Sequence, residues 1–273
     1  MNDHARFHSG AALAISVFMM RFVDLETARA SRGLRMALIT NVPSLWSDAA
    51  RAMATAKELD CLAVEFDPRD ETIQRWTGCP NAPVALFKDE LPRTGWAEIL
   101  SLLERLGGAM SLVPESAADR VAMFGLSREV CGDMGVASIR RLLLIHASFT
   151  TDGAEGFATP VAKFLARRYG YSAEWIAPAR RRFVEILRVL DDTLSRSGGP
   201  YFFGAQLTAL DFYWAAALGS ILPLPDSVRP IAPSLRPVFE RLEEDLAAAV
   251  TPALRAHRDR IAPRWIALPA PAR

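Results

Sequence analysis

Cysteine is scarce in this chain, with three copies scattered at Cys61, Cys79 and Cys131. No two form a Cys-x-x-Cys pair, which excludes a dithiol redox motif, and their spacing suits neither a disulfide framework nor a zinc site. Histidine is equally sparse: His4, His8, His146 and His257 show no metal-ligand spacing, and no metal is expected. Neither charge sign dominates, with Lys+Arg 32 against Asp+Glu 31. Nothing electrostatic therefore points to nucleic acid or to an anionic membrane surface. The densest basic run, Arg180-Arg181-Arg182, reads as a solvated helix face. No Ser-His-Asp constellation, phosphate-binding glycine loop or paired-carboxylate site can be assembled. Cysteine usage favours a reducing compartment, the cytoplasm.

Long hydrophobic runs are missing too. Ala11 to Met20 is apolar and flanked by Arg6 and Arg21, but a membrane span takes roughly 20 apolar residues. A signal peptide would need cleavage near Ala28-Arg29-Ala30, yet Asp24 and Glu26 intervene, and Met20 offers a second start. Residues 1–34 are read as an N-terminal extension, whether native, a leader or a gene-start artefact.

What the chain does have is a sharply specified helix entry late on. Thr208 and Asp211 stand three apart at the head of the run Phe212-Tyr213-Trp214-Ala215-Ala216-Ala217-Leu218. This spacing predicts a capping box, with the Thr208 hydroxyl accepting from the N–H near Asp211 and the Asp211 carboxylate reaching back to the Thr208 N–H. Leu207 and Phe212 have the spacing of a hydrophobic staple. A helix from Asp211 to Ile221 that is apolar almost all round belongs in a core.

Two patterns divide the rest. Met36 to Thr40, Cys61 to Phe66 and Val84 to Phe87 read as short buried strands. Helical spacing appears at Ser47 to Leu59 and Thr94 to Leu106, with a short helix or turn at Thr72 to Trp76. This order implies a small α/β unit with a partly parallel sheet over residues 35–106. After a linker at 107–115, only helical runs remain, near 118–147, 160–169, 177–197, 211–221, 233–249 and 252–260. They make an all-helical domain over 116–262, followed by a tail at 263–273.

A thioredoxin-like domain joined to a helical bundle, with a capped helix late in the bundle, resembles the glutathione S-transferase superfamily. Three segments carry the resemblance. Ala82-Pro83-Val84 precedes the third strand where the family has its cis-proline, so Ala82 would pair with the cysteinyl part of glutathione; a trans proline opening an edge strand is the other reading of Pro83. The turn Pro43-Ser44-Leu45-Trp46-Ser47, with Arg51 beyond it, is similar to the serine-type motif, which makes Ser44 the hydroxyl that holds the glutathione sulfur as thiolate. Leu45 departs from the family's proline, and Ser44 or Ser47 serves equally as a helix cap. Thr94-Gly95-Trp96 falls where the family has Glu-Ser at a helix N-terminus that holds the γ-glutamyl carboxylate. That pair is absent here, and Thr94 and Gly95 take its place.

The resemblance implies a glutathione transferase-like enzyme that uses glutathione as co-substrate on a small electrophile, as a cytoplasmic homodimer without nucleic-acid or membrane partners. The alternative is a non-catalytic binding or scaffold protein that keeps the fold. Cys79 near the proline loop, Trp46, Trp96 and His146 are further candidates. Read singly, Cys79 is a small buried hydrophobe and His146 a satisfied core residue.

Overall fold

A computed structural model describes residues 20–268. The apolar run before Met20 and the end of the tail lie outside them. Strands β1 (Arg21–Phe22), β2 (Leu34–Leu38), β3 (Cys61–Glu65) and β4 (Val84–Phe87) form one sheet in the order β1-β3-β2-β4. The β1–β3 and β3–β2 pairs are parallel, while β4 runs antiparallel to β2. Alternation along the strands serves two layers. Leu34, Met36 and Leu38 face one layer with α2 (Leu45–Ala56) and α4 (Trp96–Arg105). Ala37, Val64, Val84 and Leu86 face the other, against Ala28 of α1 (Leu25–Ala30) and Ile73 of α3 (Glu71–Thr77).

The segment read from sequence as an extension thus carries β1 and α1 of this sheet. Asp24 caps α1 by accepting from the Thr27 N–H at 2.7 Å, and the Val23 N–H donates to the Ala63 carbonyl at 2.9 Å. The Ala28-Arg29-Ala30 segment is the last turn of α1, with Ala28 fully buried.

The second half is helical: α5 (Ala117–Cys131), α6 (Val136–Thr150), α7 (Thr159–Tyr169), α8 (Ile176–Arg196), α9 (Ala209–Ile221), α10 (Arg236–Glu240), α11 (Glu244–Ala249) and α12 (Pro252–Ile261). The run expected to continue through 118–147 breaks at Gly132-Asp133-Met134-Gly135. Met134 there takes a left-handed φ of 57°, and a Cβ on Gly135 would stand 2.5 Å from the Glu129 carbonyl. The expected 233–249 helix is likewise two short ones. The carbonyls of Phe239 and Arg241 turn onto the buried Arg140 guanidinium, at 3.2 and 2.5 Å, instead of continuing the ladder.

Every residue of α9 is buried, and it packs against α2, α5 and α12. Its entry differs in one respect from the expected box. The Asp211 carboxylate does accept from the Thr208 N–H at 2.7 Å, but the Thr208 hydroxyl donates to the same oxygen at 2.9 Å instead of accepting from a helix amide. The other carboxylate oxygen takes the Phe202 N–H at 3.1 Å and His257 Nε2 at 2.8 Å. One buried carboxylate therefore ties the preceding loop, the helix start and α12 together.

The two halves are joined by a second buried cluster. Arg229 Nε meets both oxygens of Asp48 at 3.2 Å, and its remaining nitrogens donate to the carbonyls of Thr40, Val42 and Pro230. Arg51 donates to the carbonyls of Ile266 and Ala267. Burial lowers the Arg51 pKa, and the neighbouring Asp48 offsets part of that cost.

Candidate active site

Where the two halves meet, a cavity of about 400 Å³ opens between the segment before β4 and the α5–α6 break. The Ala82-Pro83 peptide in its wall is cis. Among the described residues neither backbone group of Ala82 has a protein partner, and an unpaired edge of that kind can take an extended ligand. Thr94 and Trp96 line the same cavity at the start of α4, so Ala82, Pro83 and Thr94 come together.

The other expected residues are placed differently. Gly95 is the N-cap of α4, and its N–H donates to Glu98 Oε2 at 3.0 Å. The Thr94 N–H donates to the same oxygen at 3.3 Å, so the chain supplies its own carboxylate at this helix end. Ser44 is the N-cap of α2: its hydroxyl accepts from the Ser47 N–H at 3.4 Å, and it is not among the residues lining the cavity. Trp46, two residues on, lines the cavity and donates from Nε1 to the Cys131 carbonyl at 2.9 Å. The segment was legible; which of its side chains meets the cavity was not. Arg51, part of the same motif, points away to the C-terminal segment.

Cys79 and Cys131 also line the cavity. Burial drives the Cys131 thiol well above its ordinary pKa, so it stays protonated. The helical side adds Tyr169, whose hydroxyl donates to Asn81 at 3.2 Å across the domain boundary, and Arg141. Sequence reasoning missed both. A lone Arg and a lone Tyr on helices carry no motif, and only the fold brings them to the cis-proline loop.

A second cavity, also of about 400 Å³, lies within the helical half and shares Asp133, Ser138, Arg141 and Tyr169 with the first. Its own wall is largely apolar, with Met134, Leu142, Ile145 and Trp175. His146 is half-buried rather than a core residue. It shares a 2.9 Å hydrogen bond between Nδ1 and the hydroxyl of Tyr171, which lines this cavity. Among the described residues no cluster of side chains suits a metal ion, and no helix is long and apolar enough to cross a membrane.

A small mixed sheet with a cis-proline edge, followed by a helical domain and a cleft between them, is the architecture of the glutathione transferases. The chain has that two-domain fold, and residues 173–260 match the family model of the glutathione S-transferase C-terminal domain. Among solved structures, the chain is similar to a glutathione S-transferase of Methylobacterium radiotolerans in complex with glutathione sulfonate. That match has 20% identity and a TM-score of 0.56, covering 85% of this chain and 92% of the other. A glutathione S-transferase domain-containing protein of Marinobacter aquaeolei gives 14% identity and a TM-score of 0.59, covering 85% and 98%. Gtt2 of Saccharomyces cerevisiae gives 14% and 0.57, covering 83% and 95%. No curated protein sequence matches the chain.

Proposed function

We propose that the interdomain cavity binds glutathione and presents its thiolate to a small electrophile held by the helical domain. The observation that carries this reading is the cis Ala82-Pro83 peptide in the cavity wall, with the Ala82 backbone groups free to pair with a peptide-like ligand. Thr94, at the start of α4 on the same cavity, would serve the γ-glutamyl carboxylate, with Gly95 beside it. Proteins of similar fold have been crystallised with glutathione sulfonate or with glutathione and malonate, which supports the choice of thiol. Ser44, which caps α2 and does not itself line the cavity, would act on the thiolate from the N-terminus of that helix, where the dipole favours negative charge, by turning its hydroxyl from the Ser47 N–H toward the sulfur. The rate gain would come from a lowered thiol pKa and from proximity. Three free cysteines and a thiol co-substrate fit the cytoplasm.

Two observations favour a second reading, a binding or scaffold protein without catalysis: Glu98 already occupies the Thr94 and Gly95 amides, and the Ser44 hydroxyl is engaged as a cap. Calorimetry with glutathione and turnover of a generic electrophile by wild type and Ser44→Ala separate the two. Under the first reading, glutathione binds and Ser44→Ala lowers turnover roughly ten- to a hundredfold, the equivalent of one charge-assisted hydrogen bond of about 1.5–3 kcal/mol. Equal turnover leaves Ser44 as a helix cap only. No binding at millimolar glutathione gives the case to the scaffold.

A further inference from the structure

Two arginines beside the Tyr169 ring, Arg141 and Arg168, have no ionic partner among the described residues, and of the two only Arg141 lines a cavity wall. Its neighbour Arg140 is bonded to two carbonyls, and Arg180 and Arg182 pair with carboxylates. Arg141, on α6 where the two cavities share a wall, has no hydrogen bond or ion pair to any described residue. It is half-buried, with its guanidinium carbon 3.7 Å from the Tyr169 ring centre and 5.4 Å from that of Trp46. Stacking on aromatic faces holds the plane of the guanidinium and leaves its edge of N–H donors for a partner. Asp133, also in the wall, sits in the exposed turn between α5 and α6 and does not pair with it. Burial lowers the Arg141 pKa, partly offset by Tyr169 and Asp133, and a guanidinium is not deprotonated in proteins at neutral pH.

We propose that the helical-domain cavity binds a substrate carrying a carboxylate on an apolar body, with Arg141 as the carboxylate anchor. The fork of a guanidinium matches a carboxylate through two parallel hydrogen bonds. A single cation with Asp133 nearby suits a monoanion better than a doubly charged phosphoryl group. Met134, Leu142, Ile145 and the half-exposed Trp175 give the body of such a molecule an apolar and aromatic surface. The assignment rests on reading the adjoining cavity as the thiol site, which would place the acid beside the sulfur. Its binding step can be tested alone.

Calorimetry on the full chain with 2-naphthoate, 2-naphthamide and 2-naphthyl phosphate tests it. The acid is expected to bind about tenfold or more tighter than the amide, the worth of a hydrogen-bonded charge. Arg141→Met should remove that preference with an unchanged melting temperature, and Arg141→Lys should restore only part of it. Glutathione should leave naphthoate binding in place. Equal binding of acid and amide, a preference that survives in Arg141→Met, or no binding of any probe overturns the proposal. So does tighter binding of the phosphate, or displacement of naphthoate by glutathione, which would assign Arg141 to the thiol's own carboxylate. If naphthoate binds as expected and glutathione does not, the thiol reading fails and the anion site stands. Should Arg141→Met fail to fold, Arg141→Gln carries the same comparison.

Discussion

Replacing Asp211 by Asn removes one acceptor atom from a site where four donors converge. With its oxygen toward Thr208, the asparagine keeps the two bonds there, to the N–H and the hydroxyl, but loses their charge assistance. Its NH₂ then faces the Phe202 N–H and His257 Nε2. Histidine can offer a lone pair by moving its proton to Nδ1, but that atom is buried without a partner. Two buried donors are left unmet at about 1–3 kcal/mol each, and weakened bonds to Thr208 add about 1 kcal/mol. Burying a neutral group in place of a charged one recovers part of this. A net loss of about 3–5 kcal/mol is expected, against a usual total of about 5–15 kcal/mol. Urea unfolding measures it as a lower midpoint at constant slope. Thr208→Ala, which removes one donor and leaves the other three bonds, should cost only about 1–2 kcal/mol, the worth of one hydrogen bond to a charged group. If Asp211→Asn costs no more than Thr208→Ala, the carboxylate is not the organiser of this junction.

Glu98→Gln should tighten glutathione binding roughly three- to tenfold by calorimetry, because a charge worth about 1 kcal/mol at close range in water no longer opposes the incoming carboxylate; unchanged or weaker binding would mean the ligand carboxylate lies elsewhere. A two-fold dimer is the expected assembly, with the exposed first turns of α5, including Val121 at 74% exposure, as its contact. Light scattering that gives a monomer over a wide concentration range would refute it.

What could be read from the sequence was local. The bond from the Thr208 N–H to the Asp211 carboxylate depends on neighbours within a turn, and the Thr208–Asp211 spacing was sufficient to place it. The third and fourth partners of Asp211 were not legible, since His257 lies on another helix and Phe202 in a loop. The cis-proline was legible only through the resemblance, because an X-Pro pair before a strand reads equally as a trans proline opening an edge strand. By contrast, β1 is two residues long, too short for alternation to register, although Asp24 and Thr27 form a cap that spacing alone could have revealed. The break between α5 and α6 had its signal in the Gly132–Gly135 pair. That between α10 and α11 had none nearby, because Arg140, which takes the freed carbonyls, is about a hundred residues away. For the same reason Arg141 looked like an ordinary helix charge: its two aromatic faces come from distant elements.

The cluster of Arg229, Asp48 and Arg51 has a consequence for how the cleft can work. All three side chains are nearly or fully buried, and Arg229 bridges the helical half to the loop that leads into Ser44. Hinging the halves apart would have to break the Arg229–Asp48 pair and the Arg229 bonds to the Thr40 and Val42 carbonyls together, which opposes opening of the cleft. The cleft is therefore expected to hold its width, so that a ligand would meet a gap that exists before it arrives. Selectivity in such a protein would be altered by changing the side chains along the gap, and hardly at all by loosening the joint.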